Sequence, residues 1–375
     1  MTIRMHIIEE IGPRHGPSLL TVDLGAVKAN YRLLAGRAGP AECAAVVKAN
    51  GYGLGLKQVS RALSEAGCKT FFVAHLDEAI ELRGYLGKAA IYYLNGLLPG
   101  EATTCDAYDI RPVLNDFGQI ERWSRHCADA GDAPLAAVQL DTGMARLGLT
   151  PADTAVLARE PARLDGIRLA LILSHLACAD TPAHELNERQ RSDFAAATAR
   201  LPRATRSLAA SSGIFLGPEW HFDMVRPGAS LYGVAPNADR PNPMAQVVLL
   251  QGKILSIRDV DTPQTVGYGA THRFKRPTRL ATVAAGYADG YPRGLGREIG
   301  AHIGNIAVPV IGRVSMDLIT LDVTDAPRAK PGDMVDLIGP HHDLDVQASQ
   351  SGTIGYEILT RIGRRYARRY IESGP

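Results

Sequence analysis

What constrains this chain most is a rhythm: between about residues 18 and 235, short apolar runs alternate with stretches of helical periodicity. Ala44 to Val47 is an apolar run suited to a buried strand. Leu56, Val59, Leu63 and Ala66 then fall on one helical face before Gly67 stops it. The unit recurs as Thr70 to Ala74 with Asp77 to Tyr85, as Pro134 to Leu140 with Pro151 to Arg159, and as Ile167 to Ser174 with His184 to Leu201. Repeated strand–helix units imply a parallel sheet, because a parallel neighbour is reached only by a crossover long enough to hold a helix. Six or more units in roughly 220 residues, with no dinucleotide fingerprint in the first turn, favour an α/β fold of the (β/α)8 TIM-type barrel class over a doubly wound sheet. The nearest approach to that fingerprint, Gly51-Tyr52-Gly53-Leu54-Gly55, has the wrong spacing.

After Asn237-Ala238-Asp239-Arg240-Pro241-Asn242-Pro243 the texture changes. Ala245 to Leu250, Lys253 to Ile257, Leu280 to Ala284, Ile306 to Ile311 and Leu318 to Val323 read as strands without long helices between them, and Pro331-Gly332-Asp333 is a strong turn. These changes predict an N-terminal extension at 1–17, a barrel at 18–240 and a mainly β C-terminal domain at 241–375.

A chain of 375 residues exceeds one small core, consistent with that division. With 46% hydrophobic and 21% charged residues it has the composition of a folded, water-soluble protein. The net charge of +2 comes from well-mixed acids and bases, without the basic stripe that nucleic acid requires. The densest basic stretch, Arg361 to Arg369, reads as a solvated segment rather than a binding patch. The first 17 residues place acids and a proline where a secretory signal needs an apolar core, and no run approaches a membrane span, so the expected location is the cytoplasm. The five cysteines are odd in number and form no C-x-x-C pair, so free thiols and no metal site are expected.

Functional groups of a barrel stand at the C-terminal ends of its strands. Lys48 ends the run Ala44-Ala45-Val46-Val47 and opens the permissive loop Ala49-Asn50-Gly51-Tyr52-Gly53. Such a lysine either caps the strand or, desolvated, loses its proton readily and serves as a nucleophile for Schiff-base chemistry. His175 follows the apolar run Leu171 to Leu173, and a histidine there suits a satisfied core position as well as a functional one. His175 and Cys178 lack the second ligand pair a metal would need.

The segment Val47-Lys48-Ala49-Asn50-Gly51-Tyr52-Gly53 resembles the cofactor-lysine motif of the alanine racemases, the barrel members of the pyridoxal-phosphate enzymes. The resemblance runs on, in family order, through Asp141-Thr-Gly-Met-Ala-Arg146, Ser174-His175-Leu-Ala-Cys-Ala-Asp180, Ala209-Ala-Ser211-Ser-Gly, Arg226-Pro-Gly228-Ala229, Val266-Gly-Tyr268-Gly, Ala285-Gly-Tyr287-Ala-Asp-Gly, Gly312-Arg313-Val-Ser-Met316-Asp317 and Gly355-Tyr356-Glu357. It implies a racemase interconverting L-alanine and D-alanine with pyridoxal 5'-phosphate, in a homodimer with shared sites. Such a protein supplies D-alanine to peptidoglycan precursors or, in other members, takes part in its breakdown. Lys48 is implied as the cofactor-bearing base for one face of the substrate, and Tyr268, from the partner subunit, as the acid/base for the other. Arg226 is implied as partner of the pyridine nitrogen; a guanidinium stays protonated, so it leaves that nitrogen unprotonated and tempers the ring as an electron sink. Arg146 is implied to meet the cofactor's phenolic oxygen and the substrate carboxylate, and His175 to stack on the ring. Tyr52, Ser211, Gly228, Ala229 and Tyr356 fill the family's phosphate positions. Met316 and Asp317 match the loop the partner contributes near the substrate, and Tyr287, Arg313 and Ile354 match the access corridor.

The chain departs from the family pattern at Leu54, where histidine is frequent, at Ala210, where asparagine is frequent, and at Gln139, where a carbamylated lysine is frequent. Glutamine supplies only a neutral acceptor, so the support of Arg146 calls for a small anion, chloride first among them, or an ordered water beside Gln139. Two enzymatic alternatives compete. A barrel-type amino-acid decarboxylase would pair the pyridine nitrogen with an acid rather than with Arg226, and a broader-specificity racemase would carry an export signal. A cofactor carrier of the same barrel is a third reading, but such carriers lack a β domain bearing Tyr268.

Overall fold

The computed structural model describes residues 5–12, 16–129, 134–294 and 300–373. They divide into one unit formed by Met1–Val27, Tyr232–Val234 and Met244–Pro375 and a second formed by Lys28–Leu231 and Ala235–Pro243. The chain opens in the first unit with strands β1 (Met5–Ile11) and β2 (Ser18–Asp23).

The second unit holds β3 (Glu42–Cys43), β4 (Ala45–Val46), β5 (Thr70–Val73), β6 (Ala90–Tyr93), β7 (Ile110–Leu114), β8 (Leu135–Gln139), β9 (Arg168–Leu173), β10 (Thr205–Ala210) and β11 (Met224–Arg226). Each pairs in parallel with its sequence neighbour from β4 to β11, and β11 pairs in parallel with β3. Because β3 and β4 are one extended stretch interrupted at Ala44, the sheet closes on itself as the expected (β/α)8 barrel. Ala44 and Val46 donate to Val225 and Pro227 on one side while Val47 donates to Phe72 on the other. The strands are apolar runs with both faces covered, and Phe71, Phe72, Val113, Val138 and Leu171 are buried. The helix Leu56–Glu65 lays Val59 and Leu63 onto this wall, each such burial contributing about 1.5–3 kcal/mol. Helix Pro151–Arg159 starts where Pro151 follows the cap Thr150, whose Oγ1 accepts from Asp153 N at 3.1 Å while Asp153 reaches back.

The first unit continues through β12 (Val248–Val260), β13 (Thr265–Val266), β14 (His272–Arg273), β15 (Thr278–Val283), β16 (Gly300–Ile303), β17 (Ile306–Pro309), β18 (Ile319–Asp322), β19 (Met334–Ile338) and β20 (Ala367–Ser373), with short helices at Leu344–Gln350 and Gly355–Arg361. It is mainly β, as expected. Its boundary is not. β2 lies between β12 and β20, pairing Val22 with Val248 and with Tyr370, and β1 pairs with β20. The expected division at 17/18 therefore gives way: residues 18–27 join the β unit together with the supposed extension, because an apolar strand carries no mark of which sheet will cover it.

Two further expectations are corrected. The segments read as separate strands at 245–250 and 253–257 form parts of one strand, with Gly252 inside it. A Cβ there would stand 2.7 Å from Val283 Cγ1, so the glycine serves a close approach, not a break. The basic stretch is no merely solvated segment: Arg361 pairs with Glu357, Arg365 with Asp289 and Asp317, and Arg369 with Glu10. All five cysteines are free thiols. No described helix is long and apolar enough to cross a membrane.

Candidate active site

Lys48 stands where the sequence puts it, at the mouth of the first barrel strand. The loop after it winds through left-handed backbone at Ala49, Asn50, Gly51, Tyr52 and Gly53, three of which are not glycine. Backbone of that kind persists only where its surroundings hold it. Here Glu78 does so: one carboxylate oxygen accepts from Ala49 N at 2.6 Å, and the other from Ala74 N at 2.9 Å and His75 N at 3.3 Å, tying two strand-end loops together. Asn50 Oδ1 adds a bond from Leu56 N at 2.8 Å. Sequence reasoning missed Glu78, although its place three residues after the helix-capping His75 marks it as a capping-box acid. Burial pushes the Lys48 ammonium below its ordinary pKa, the charge of Arg146 adds to the effect and Glu78 opposes it.

Arg226 ends β11, the strand hydrogen-bonded to the stretch that leads into Lys48, and is only 4% exposed. Its guanidinium donates to Ser207 Oγ at 2.5 Å and Ser174 O at 2.6 Å, and no described carboxylate pairs with it. Burial lowers its pKa to about 10. A buried cation served only by neutral acceptors is costly, so the site favours a ligand that brings a further acceptor. His175, at the end of β9, is pushed down to about 3 by desolvation and by the charges of Arg226, Arg146 and Lys48. The imidazole is neutral, and three cations converge on its surroundings.

Ser211, after β10, accepts from Gly228 N at 3.0 Å and Ser230 N at 3.2 Å, which leaves its own O–H free to donate. A Cβ on Gly228 would meet Tyr52 Oη at 2.5 Å, so only glycine admits the phenol so close to this backbone. Tyr52 and Ser211 thus both lie against the Gly228 backbone, which leads into Ala229.

The loop after β8 folds around Asp141, whose Oδ1 accepts from the amides of Gly143, Met144 and Ala145 at 2.9, 3.0 and 3.1 Å. Arg146 projects from this loop and is exposed, forming no hydrogen bond or ion pair with a described residue. The guanidinium expected to be buried beside Gln139 is therefore open in the single chain, and Gln139 Nε2 donates instead to Leu147 O at 3.2 Å. Fully buried Gln190, which nothing in the sequence singled out, holds this loop to the next. Its Nε2 donates to Thr142 Oγ1 at 3.2 Å and His175 O at 2.9 Å, and its Oε1 accepts from Ala177 N.

The remaining predicted residues lie in the β unit. Tyr268 sits in the β13–β14 connection between Gly267 and Gly269, both at positive φ, and is 71% exposed. Hypothetical Cβ atoms on those glycines would meet Arg313 N at 3.3 Å and Arg313 Nη1 at 3.4 Å, which places the turn against the Arg313 loop. Tyr287 N donates to Ser315 O at 3.1 Å and Ala288 N to Met316 O at 2.9 Å. Tyr268, Arg313, Met316, Asp317 and Tyr287 therefore belong to contiguous loops of this unit. Ile354 and Tyr356 flank the start of helix Gly355–Arg361, both exposed.

Comparison with known proteins places both units. The model of the alanine racemase N-terminal domain matches residues 22–236, and that of the C-terminal domain residues 247–370. An alanine racemase of Rhodospirillum rubrum is 51% identical over 359 residues, spanning 94% of this chain and 96% of that protein. A catabolic alanine racemase of Agrobacterium fabrum is 49% identical, spanning 95% and 92%. Among solved structures, alanine racemase from Bartonella henselae with covalently bound pyridoxal phosphate matches with a TM-score of 0.91 at 40% identity, covering 94% of this chain and 99% of that one. The biosynthetic enzyme of Pseudomonas aeruginosa matches with a TM-score of 0.88 at 36% identity, covering 95% and 99%.

Proposed function

The chain belongs to the alanine racemase family, and from that premise we propose that it interconverts L-alanine and D-alanine with pyridoxal 5'-phosphate carried on Lys48, using Lys48 and Tyr268 of the partner subunit as its two bases. The observation that carries this reading is the barrel mouth itself, where a desolvated lysine, a neutral histidine and a buried, acid-free arginine converge. The residues suit the cofactor: Arg226 offers donors to a ring nitrogen, Ser211 a hydroxyl donor to phosphate, and Gly228 a backbone that a side chain would obstruct. When bound, the cofactor draws electrons from the α-carbon of the amino acid joined to it and so makes the α-proton removable.

The chain's own groups do the rest. Lys48, held below its ordinary pKa, gives up its proton more easily than a solvated lysine and takes or returns the α-proton on one face. Tyr268, standing free on two glycine hinges, reaches the opposite face in the partner's barrel, which accounts for a large aromatic left 71% exposed in one chain. Arg146 binds the substrate carboxylate, helped by the Met316 amide and Asp317, while Tyr287, Arg313 and Ile354 narrow the approach to small side chains. Tyr356 completes the phosphate set. A small anion beside Gln139, chloride first, belongs to the same reading once cofactor and partner cover Arg146. Arg226, which lacks an acid companion, favours racemisation over decarboxylation, because decarboxylases of this barrel class keep the ring nitrogen protonated by a carboxylate.

The test is to incubate purified protein with L-alanine and follow D-alanine, then reduce with borohydride and map the labelled peptide. D-alanine should accumulate and the label should fall on Lys48. Carbon dioxide release, or label on another lysine, defeats the proposal.

A further inference from the structure

Three separate segments of the β unit meet at one guanidinium. Arg365 Nε lies 3.0 Å from Asp289 Oδ1, and its Nη1 donates to Asp317 Oδ1 at 2.7 Å. Asp289 closes the short turn Tyr287–Asp289, where its Oδ2 accepts from Gly286 N at 2.9 Å, and its own carbonyl accepts from Gly363 N at 2.9 Å. Asp317 follows Met316. The turn and the Met316 loop are in direct contact: besides the two backbone bonds to Ser315 O and Met316 O, a Cβ on Gly286 would stand 2.2 Å from Met316 O. The Tyr287 turn and the Met316 loop are therefore joined through their backbones, and the Arg365 side chain spans both.

The two carboxylates differ. Asp317 is about half exposed, so its pairing with Arg365 alone is screened and weak. The Asp289 side chain is only 7% exposed. Burial pushes its carboxyl above the ordinary range, against the pull of the Gly286 N–H, then of Arg365. Removing the guanidinium leaves a buried carboxylate with one backbone donor, a state relieved by protonation or by opening of the turn. Fold stability gains little from such an arrangement; loop geometry gains a fixed register.

We propose that Arg365 is a positioning residue for the racemase reaction: by bridging Asp289 and Asp317 it locks the Tyr287 turn to the Met316–Asp317 loop, and so sets the shape of the surface that receives the alanine carboxylate. This rests on the reading that these loops face the substrate. A residue acting through loop geometry controls substrate capture more than proton transfer, so the effect belongs in KM.

The experiment uses holoenzyme of the wild type, Arg365→Ala and Arg365→Lys, with hydrogen exchange at residues 286–290 and 315–318 alongside racemisation kinetics. In Arg365→Ala the amides of Tyr287 and Ala288 should exchange about tenfold faster, and KM for L-alanine should rise about tenfold with kcat within about threefold. Arg365→Lys, which keeps a cation for the buried Asp289, should restore most of the KM. Unchanged exchange overturns the clamp whatever the kinetics show. So does a loss of kcat and melting temperature together that lysine does not rescue, since that marks a general structural role. If the wild type fails to racemise alanine, the functional reading fails, while hydrogen exchange still decides whether Arg365 locks the loops.

Discussion

His175 shows how a residue's role is settled by what surrounds it. A histidine at a strand end suits a core or a site equally, and its neighbours in sequence, Ser174 and Leu176, do not decide between them. Burial, and then the charges of Arg226, Arg146 and Lys48 arriving from three other parts of the chain, push its pKa down to about 3. The sign of the consequence follows from linkage. Folded His175 binds its proton far less readily than the unfolded residue, whose pKa is near 6.5, so its contribution to stability is present in full above that pH and is lost as pH falls toward 3. Between pH 6.5 and 5 the loss amounts to about 2 kcal/mol in cofactor-free protein. Urea unfolding of wild type and His175→Gln at pH 7 and pH 5 checks this: the wild type should lose more stability than the variant over that interval. Parallel losses would show that His175 does not carry the pH dependence.

At the scale of elements, strands and helices were legible where the periodicity was strong. The helix at Leu56 and the capped helix at Pro151 start and stop where their residues signal. Legibility failed where a glycine had two meanings, as at Gly252, because a close approach to Val283 is invisible until the sheet is assembled. The loop after β8 is intermediate: Asp141 announces a turn, but only the fold shows its carboxylate gathering three amides to present Arg146. Gln139 at the base of this loop cannot carry a carbamate, so activity should be indifferent to added bicarbonate. If a chloride supports Arg146, activity should fall when chloride is exchanged for a bulky anion at fixed ionic strength, a control that removes surface screening. Equal rates in chloride-free buffer would leave the support of Arg146 to Gln139 and water.

The whole molecule raises the matter of a second copy. Lys48 lies in one unit and Tyr268 in the other, and Tyr268 is left solvent-facing on its hinge. If sites are shared between subunits, Lys48→Ala and Tyr268→Phe chains, each nearly inactive alone, should regain activity when mixed, since one of the two sites in a mixed dimer keeps both bases. The ceiling is about one quarter of the wild-type rate, because half the dimers are mixed and each has one intact site of two. No recovery, with subunit exchange shown by differently tagged chains, would place both bases in one chain. The sequence by itself determined the barrel, the β unit and the order of motifs, because apolar period, turn residues and strand-end placement are local properties that neighbours in the chain express. Only the tertiary structure decided that β2 leaves the barrel for the β sheet, that Glu78 and Gln190 hold the loops of the site, and that Arg365 joins two acids. Each of these depends on groups tens to hundreds of residues apart meeting at hydrogen-bond distance or within one sheet, and the energy of such meetings is written in no single segment.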